Sequence, residues 1–335
     1  MAVPFVHEFL KEMRMPAIPK TMRAAAIDRF GGPSVLKIHR LPVPNVGARE
    51  ILIALDASGV GSWDADVRAG WWPAGKPRFP LVPGTDGAGR VTAVGSRVRR
   101  FRVGDRAYAY NFINPKGGFY AEYVAVPANR AGRVPRRLDL RSAGGIATTG
   151  LTALQGVDDA LGVRRGEAVI IHGASGGVGT LAVQFAKWRG ARVLATAKGR
   201  DGVALVRRLG ADEAVDDRRE DVAEAARRFA PDGIDAVLAL VGGKKLARCL
   251  DALRRGGRVA YPNGIEPEPR KRRGIRIRTY DAAAGVREFQ RLGRAVEGAR
   301  IRVPIAAAYR LADAAKAHRR LAKGHVLGKI VLRIR

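Results

Sequence analysis

The stretch VIIHGASGGVGTLAVQFAKWRGARVLATA, Val169 to Ala197, reads as an apolar strand, a glycine loop, an amphipathic helix and a second apolar strand. Its fingerprint is Ala174-x-Gly176-x-x-Gly179, with Ala in the first glycine position. Gly176 lets backbone approach a pyrophosphate, and Gly179 lets helix and strand pack closely. The helix N-terminus then offers free N–H groups and a positive dipole end to the phosphates. Ala174, Ser175, Gly176, Gly177, Val178 and Gly179 are the expected cofactor loop. In an NAD-binding unit an acid about 20 residues beyond the loop bonds the ribose hydroxyls. Here the second strand ends Thr196-Ala197-Lys198-Gly199-Arg200, with no acid before Asp201. Lys and Arg attract a 2′-phosphate that an acid would repel. Ala197, Lys198 and Arg200 are therefore expected to hold the adenosine end of NADPH.

Outward from this unit, strands and helices alternate from about Ile146, the pattern of a parallel sheet. The expected strands are Ala168–His172, Arg192–Ala197, Glu213–Asp216, Asp235–Val241, Arg258–Tyr261 and Ile275–Tyr280. Helices fall between them, including EDVAEAARRFA and KKLARCLDALRRGG, the latter with Gly256 as its expected C-cap. Upstream, Met22 to about Arg136 carries short β-type runs cut by GGPS, PVPNVG and VPGTDGAG, which predicts a β-rich, barrel-like unit. The final YRLADAAKAHRRLAKGHVLGKIVLRI predicts a helix, a turn and a strand that return to this first unit. Residues 1–21 form an extension outside both, in which Phe5, Val6, Phe9, Leu10 and Met13 have helical spacing. A later true start at Met13, Met15 or Met22 is an equal reading.

The 335 residues suffice for about two domains of about 150 residues. No run approaches the roughly 18 apolar residues of a membrane helix, and Glu8 and Glu12 interrupt the apolar N-terminus, unlike a secretory signal. The single cysteine, Cys249, leaves no internal disulfide and no cysteine-built zinc site. A cytoplasmic enzyme fits these features. The net charge of +30 is the outlier, with 48 of the 61 basic residues being Arg. A basic excess points to nucleic acid or another polyanion, yet it is spread along the chain and reads first as a solvated surface. In EPEPRKRRGIRIRTY, Arg270 to Arg273, Arg276 and Arg278 lack interleaved aromatics for stacking on bases. That run reads as a loop entering an edge strand whose cations guard against unwanted pairing.

Eight stretches, in order, make the chain resemble the medium-chain dehydrogenase/reductase superfamily, within it the zinc-independent quinone oxidoreductase group to which zeta-crystallin belongs. They are ASGVGSWDADVRAG, VPGTDGAGRVTAVGSRV, VGDRAYAY, GGFYAEYV, ATTGLTALQGV, IHGASGGVG, LGADEAVD and GHVLGKIVL. The resemblance runs from about Met22 to the C-terminus. It implies an α/β protein with a GroES-like β-barrel-type substrate domain over 22–145, completed by 300–335. A Rossmann domain, a doubly wound parallel sheet binding NADP(H), would cover 146–299, with the active site in the cleft between the two. It also implies that Thr149, Val241 and Gly242 line the nicotinamide side, that Pro262 contacts the cofactor and that Lys329 reaches back toward the cleft. Relatives pair their last Rossmann strands, so a homodimer is expected. Two departures stand out. Gly61 occupies a position where many relatives carry Asn, and the relatives' phosphate-reading Ser and Lys fall on Gly199 and Gly202.

Zinc-dependent relatives use a Cys or similar ligand near Gly61 and a Gly-His-Glu triplet, where this chain has Gly84-Thr85-Asp86. His7, His39, His172, His318 and His325 lie elsewhere, so the three protein ligands of a catalytic zinc are missing and no metal is expected. His172 reads as a core histidine, His318 and His325 as surface residues, and Cys249 as packing. Without a Lewis acid, the favoured reaction is hydride addition from NADPH to a quinone or an α,β-unsaturated carbonyl. Trp63, Trp71 and Trp72 fall where relatives line the substrate pocket, and Tyr110 is the first candidate for a catalytic proton donor. Two other readings remain open: an enoyl-thioester reductase, and a nucleic-acid-binding protein that retains the fold.

Overall fold

The computed structural model describes residues 17–335, so the possible N-terminal helix at Phe5 to Met13 lies outside the described residues. Strands β1 (Thr21–Ala26) and β2 (Lys37–Pro42) form an antiparallel pair. The larger sheet of this unit contains β3 (Glu50–Val60), β4 (Asp86–Val94), β5 (Arg106–Tyr110), β6 (Tyr123–Pro127) and β7 (Ala131–Arg133). Helix α1 (Ser62–Ala69) follows β3, and its Asp64 carboxylate accepts from the Gly61 N–H at 2.8 Å, closing the helix start.

Helices α2 (Leu140–Gly144) and α3 (Ala147–Gln155) lead into the second unit. Its sheet contains β8 (Ala168–His172), β9 (Arg192–Ala197), β10 (Glu213–Asp216), β11 (Ile234–Ala239), β12 (Leu253–Pro262) and β13 (Arg276–Tyr280). All neighbours are parallel, in the order β10-β9-β8-β11-β12-β13. Counted within the unit this is 3-2-1-4-5-6, the doubly wound order of a dinucleotide-binding sheet. Every residue of β8 is buried, which explains its unbroken apolar run: a central parallel strand is covered on both faces. The covering helices are α4 (Gly177–Trp188), α5 (Gly199–Arg208), α6 (Val222–Phe229), α7 (Lys244–Asp251) and α8 (Val286–Gly298).

The chain then returns. Strand β14 (Ile305–Arg310), helix α9 (Ala314–Ala322) and strand β15 (Lys329–Arg333) join the first unit, with β15 antiparallel to β3. The return is fastened to the glycine loop, because the Gly328 N–H donates to the Ser175 carbonyl at 2.9 Å. That contact carries Lys329 to the boundary between the two units.

Three sequence expectations change, the first being the strand expected over Arg258–Tyr261, which runs from Leu253 to Pro262. Helix α7 ends at Asp251 with Ala252 as its C-cap, so Gly256 is not a cap. Leu253 already pairs with Ile234 in the sheet, and Gly256, at φ +80°, bends β12 instead. The strand expected over Asp235–Val241 ends at Ala239, and Val241 turns outward with 43% of its surface exposed. The basic run behaves as read: β13 is an edge strand, and Ile275 and Ile277 pack inward against the core beneath it.

Candidate active site

In a doubly wound sheet, ligands bind beyond the carboxyl ends of the strands where the strand order reverses. Here that point lies between β8 and β11, and a cleft of about 660 Å³ opens there between the two units. Gly173, Gly176, Gly177, Val178 and Gly179 form one wall, with Leu240 and Val241 from the end of β11 beside them. Gly176 is the N-cap of α4 and provides no capping side chain, so the first N–H groups of the helix lack partners inside it. A Cβ at Gly176 would meet only the Gly173 carbonyl, at 3.7 Å, so the loop's open face is free for a ligand's phosphates. Gly179 is tightly constrained: a Cβ there would run into the Gly173 carbonyl and the Ala174 backbone. Gly179→Ala is therefore expected to cost roughly 1–3 kcal/mol of stability and to weaken dinucleotide binding, measurable by thermal melting and cofactor titration.

Of the other expected residues, Thr149, Pro262, Lys329, Tyr110, Trp63 and Trp71 all line the cleft. Ala174 and Ala197 are buried beneath the loop and the second strand. Ser175 and Gly242 stand outside the lining, and a Cβ on Gly242 would collide with the carbonyls of Glu266 and Pro267. Trp72 also leaves the cleft. It packs against the core of the first unit and donates its ring N–H to the Ala74 carbonyl at 3.2 Å. Its place in the aromatic wall is taken by Phe112, which sequence reasoning missed. Ring centroids lie 5.2 Å apart for Trp63–Trp71, 5.6 Å for Trp63–Phe112 and 5.7 Å for Trp71–Phe112. Only folding brings β5's trailing loop to α1, so spacing along the chain carried no signal for that contact.

Lys198 and Arg200 are exposed on either side of Gly199, at the start of α5. The reading that no acid competes with them needs correction. Asp216, at the end of β10, accepts from the Gly199 N–H at 3.0 Å and the Arg218 N–H at 3.1 Å. Its neighbour Asp217 is buried, and burial pushes its carboxyl above the usual range against the opposing charge of Lys198. Asp201 bonds His325 at 2.9 Å. Asp216 and Asp217 come from the end of the adjacent strand and the His325 partner of Asp201 from the returning segment, which the order of residues did not reveal.

A second missed feature is a buried polar chain behind the cleft. Asp64 accepts from the Tyr120 hydroxyl at 3.3 Å, and that hydroxyl lies 3.0 Å from His318 Nε2. His318 Nδ1 lies 3.4 Å from Arg68, whose Nε donates to the Gly31 carbonyl at 3.0 Å. His318 is thus 1% exposed rather than a surface residue, because the buried face of α9 turns it toward β3's unit. Burial pushes the Asp64 carboxyl up to about 7, with Lys329 opposing the shift. Burial also pushes the Tyr110 phenol up to about 12, reinforced by Asp86 across the β4–β5 pair. Tyr110 therefore stays a neutral O–H donor throughout the physiological range. Its hydroxyl has no hydrogen-bond partner among the described residues.

Comparison with known proteins places this architecture. The family described as "Alcohol dehydrogenase GroES-like domain" matches residues 47–136, and that described as "Zinc-binding dehydrogenase" matches 209–332. The chain belongs to the medium-chain dehydrogenase/reductase superfamily of oxidoreductases, built from a GroES-like domain and a dinucleotide-binding Rossmann-like domain. Within it the similarity is to quinone oxidoreductases: that of Lama guanicoe is 32% identical over 326 residues, covering 93% of this chain and 98% of its own. Among solved structures, an NAD-dependent alcohol dehydrogenase superposes with a TM-score of 0.87 at 33% identity, covering 94% of this chain and all of its own. A mycobacterial protein complexed with NADPH superposes at 0.82 with 29% identity, covering 93% and 100%.

The zinc in the second family's description can be tested against the residues present. Gly61 has no side chain, and the buried Asp86 uses one oxygen to accept from the Thr148 N–H at 2.8 Å. Among the described residues, no three His, Cys, Asp or Glu side chains converge on a point that could hold a metal ion. The donor set does not fit a catalytic zinc.

Proposed function

We propose that the protein is an NADPH-dependent, metal-free reductase of quinones and activated alkenes. The observation that carries this reading is the aromatic wall of Trp63, Trp71 and Phe112 set across the cleft from the dinucleotide loop. Such a wall stacks on a flat, conjugated acceptor. The glycine loop and the start of α4 would hold the pyrophosphate, Lys198 and Arg200 the 2′-phosphate, and Thr149, Val241 and Lys329 the nicotinamide end. The bound nicotinamide supplies the hydride. The chain's own work is to exclude water, fix the acceptor in register and hold a hydrogen bond where negative charge develops. Tyr110 is the group we assign to that bond, since its O–H is neutral, unpartnered among the described residues and on the cleft wall.

The same cleft argues against an enoyl thioester carried on a phosphate-bearing handle. Asp66 and Asp281 line it, and Lys329 is the one Lys or Arg among the described lining residues. In a chain of net charge +30, this local balance disfavours an anionic substrate. The test is NADPH oxidation followed across quinones, enals and enoyl thioesters, before and after exhaustive chelation. Turnover of quinones or enals that survives chelation is expected. A preference for thioesters, or activity restored only by added zinc, would overturn the reading. Tyr110→Phe is expected to lower kcat about a hundredfold with little change in KM, and an unchanged kcat would remove Tyr110 from the chemistry.

The edge position of β13 supports pairing of two copies through that strand. Light scattering is expected to give twice the chain mass of 36.0 kDa. A particle of single-chain mass would refute the pairing.

A further inference from the structure

A second cavity, of about 1090 Å³, lies between strands β5 and β7 of the GroES-like unit and helix α8 of the Rossmann unit. It shares no lining residue with the active-site cleft. Six arginines line it, Arg90, Arg100, Arg106, Arg133, Arg136 and Arg294, against two carboxylates, Asp105 and Glu297.

Of the two carboxylates, Asp105 is engaged by a cation and Glu297 only by a backbone N–H. Asp105 holds Arg133 in a two-pronged pair, at 2.9 and 3.2 Å, and also accepts from the Arg102 N–H at 2.8 Å. Glu297 accepts from the Arg137 N–H at 3.4 Å. Arg90, Arg100 and Arg106 donate only to carbonyls, those of Gly104, Ala128 and Leu138, and the carboxylates whose charge reaches Arg90 and Arg106, Asp56 and Asp139, lie outside the lining of the groove. Arg136 and Arg294 are exposed and make no side-chain hydrogen bond or ion pair among the described residues. Arg100 is half-buried beside Arg133, and burial together with that like charge disfavours its cation. The groove is thus lined by six guanidinium groups against two carboxylates, of which Asp105 is held in the ion pair with Arg133, leaving a net excess of positive charge.

The floor suits a ligand recognised by charge. Gly132 and Gly293 contribute no side chains to it, and a Cβ at Gly293 would meet nothing within 4 Å. The aromatic beneath, Phe289, is 2% exposed and packs edge-on against Tyr108 at 5.0 Å, so it gives no platform for a base. Planar guanidinium forks grip anionic oxygens two at a time, and an anion carrying several phosphates engages more of the six arginines than an anion with a single charged group can.

We propose that this groove is a binding site for a small polyphosphate-bearing anion, separate from the dinucleotide site. Its arginines come from both units, so an occupant bridges them. The proposal does not depend on the substrate assigned to the cleft.

Inorganic tripolyphosphate is the probe, titrated calorimetrically into the full chain near physiological salt. One bound anion per chain is expected in this groove. Arg136→Ala combined with Arg294→Ala is expected to weaken binding about tenfold or more. Both side chains are exposed and unpaired among the described residues, and retained dinucleotide binding will show that the fold is intact. Two control pairs keep the inference falsifiable. Arg208→Ala with Arg300→Ala removes equal charge from another basic hollow, and Lys198→Ala with Arg200→Ala removes it from the adenosine end of the cofactor site. Neither is expected to change the affinity. Equal loss in all three variants would reduce the effect to diffuse surface charge and overturn the site. Loss only in the Lys198/Arg200 variant would place the probe in the cofactor site and overturn it equally. A short DNA duplex that binds the wild type tightly and displaces tripolyphosphate would assign the groove to nucleic acid instead.

Discussion

Replacing Lys198 and Arg200 together by Ala is expected to raise the NADPH dissociation constant about a hundredfold while leaving that of NADH nearly unchanged. Hydrogen bonds to a charged group contribute roughly 1.5–3 kcal/mol each, and two of them correspond to roughly two to four decades of affinity. The lower end is expected for two reasons. The buried Asp217 shares the field of Lys198, and the many other cations of the chain still attract the phosphate. The readout is the ratio of the two dissociation constants before and after substitution. A ratio that hardly moves would mean that other residues read the 2′-phosphate, whatever the absolute affinities do.

Acid sensitivity is the second large effect. Burial, aided by Lys198, pushes His172 down to about 4, and burial aided by Arg68 pushes His318 down to about 3. Both are therefore neutral in the folded chain, while in the unfolded chain they take up protons below about 6.5. Their contribution is fully present above that value and is lost as pH falls through about 4 and about 3. At about 1.4 kcal/mol per pH unit and group, the loss reaches roughly 3 kcal/mol for His172 and roughly 5 kcal/mol for His318. Asp64 acts with the opposite sign. Its carboxyl is raised to about 7, so its contribution is present below about 4 and is lost as pH rises through 7. Denaturant midpoints measured from pH 8 to pH 4 are expected to fall steeply on the acid side. His318→Gln, which keeps a polar atom near Tyr120, is expected to flatten that limb, and Asp64→Asn to raise the midpoint at pH 8. If the acid limb of His318→Gln keeps its slope, His318 is not a group that sets it.

Much of the architecture was legible because it depends on local pattern. The buried run of β8, the fingerprint from Ala174 to Gly179 and the periodic helix behind it all follow from neighbours in the chain. Strand positions in the parallel sheet therefore emerged within a residue or two for most elements. Gly256 shows the limit: a glycine after a helical run looks like a cap, yet the sheet had already claimed Leu253. The return of the last strand was also readable, since GKIVL is an apolar run that must be buried somewhere.

What tertiary structure alone decided were the contacts made across elements distant in sequence. Phe112 replaced Trp72 in the aromatic wall because chain direction after β5, and not residue type, sets which ring faces the cleft. Asp216 and Asp217 reached the Lys198 turn because parallel strands align their carboxyl ends, placing the next strand's terminus beside it. His318 went inside because Tyr120 and Arg68, some 198 and 250 residues away in the chain, offered it partners. Sequence by itself determined which residues wish to be buried, which loop can approach a phosphate and which class of protein results. Only folding determined which polar and aromatic groups meet, because such pairs are set by register and packing over long separations and leave no periodic trace along the chain.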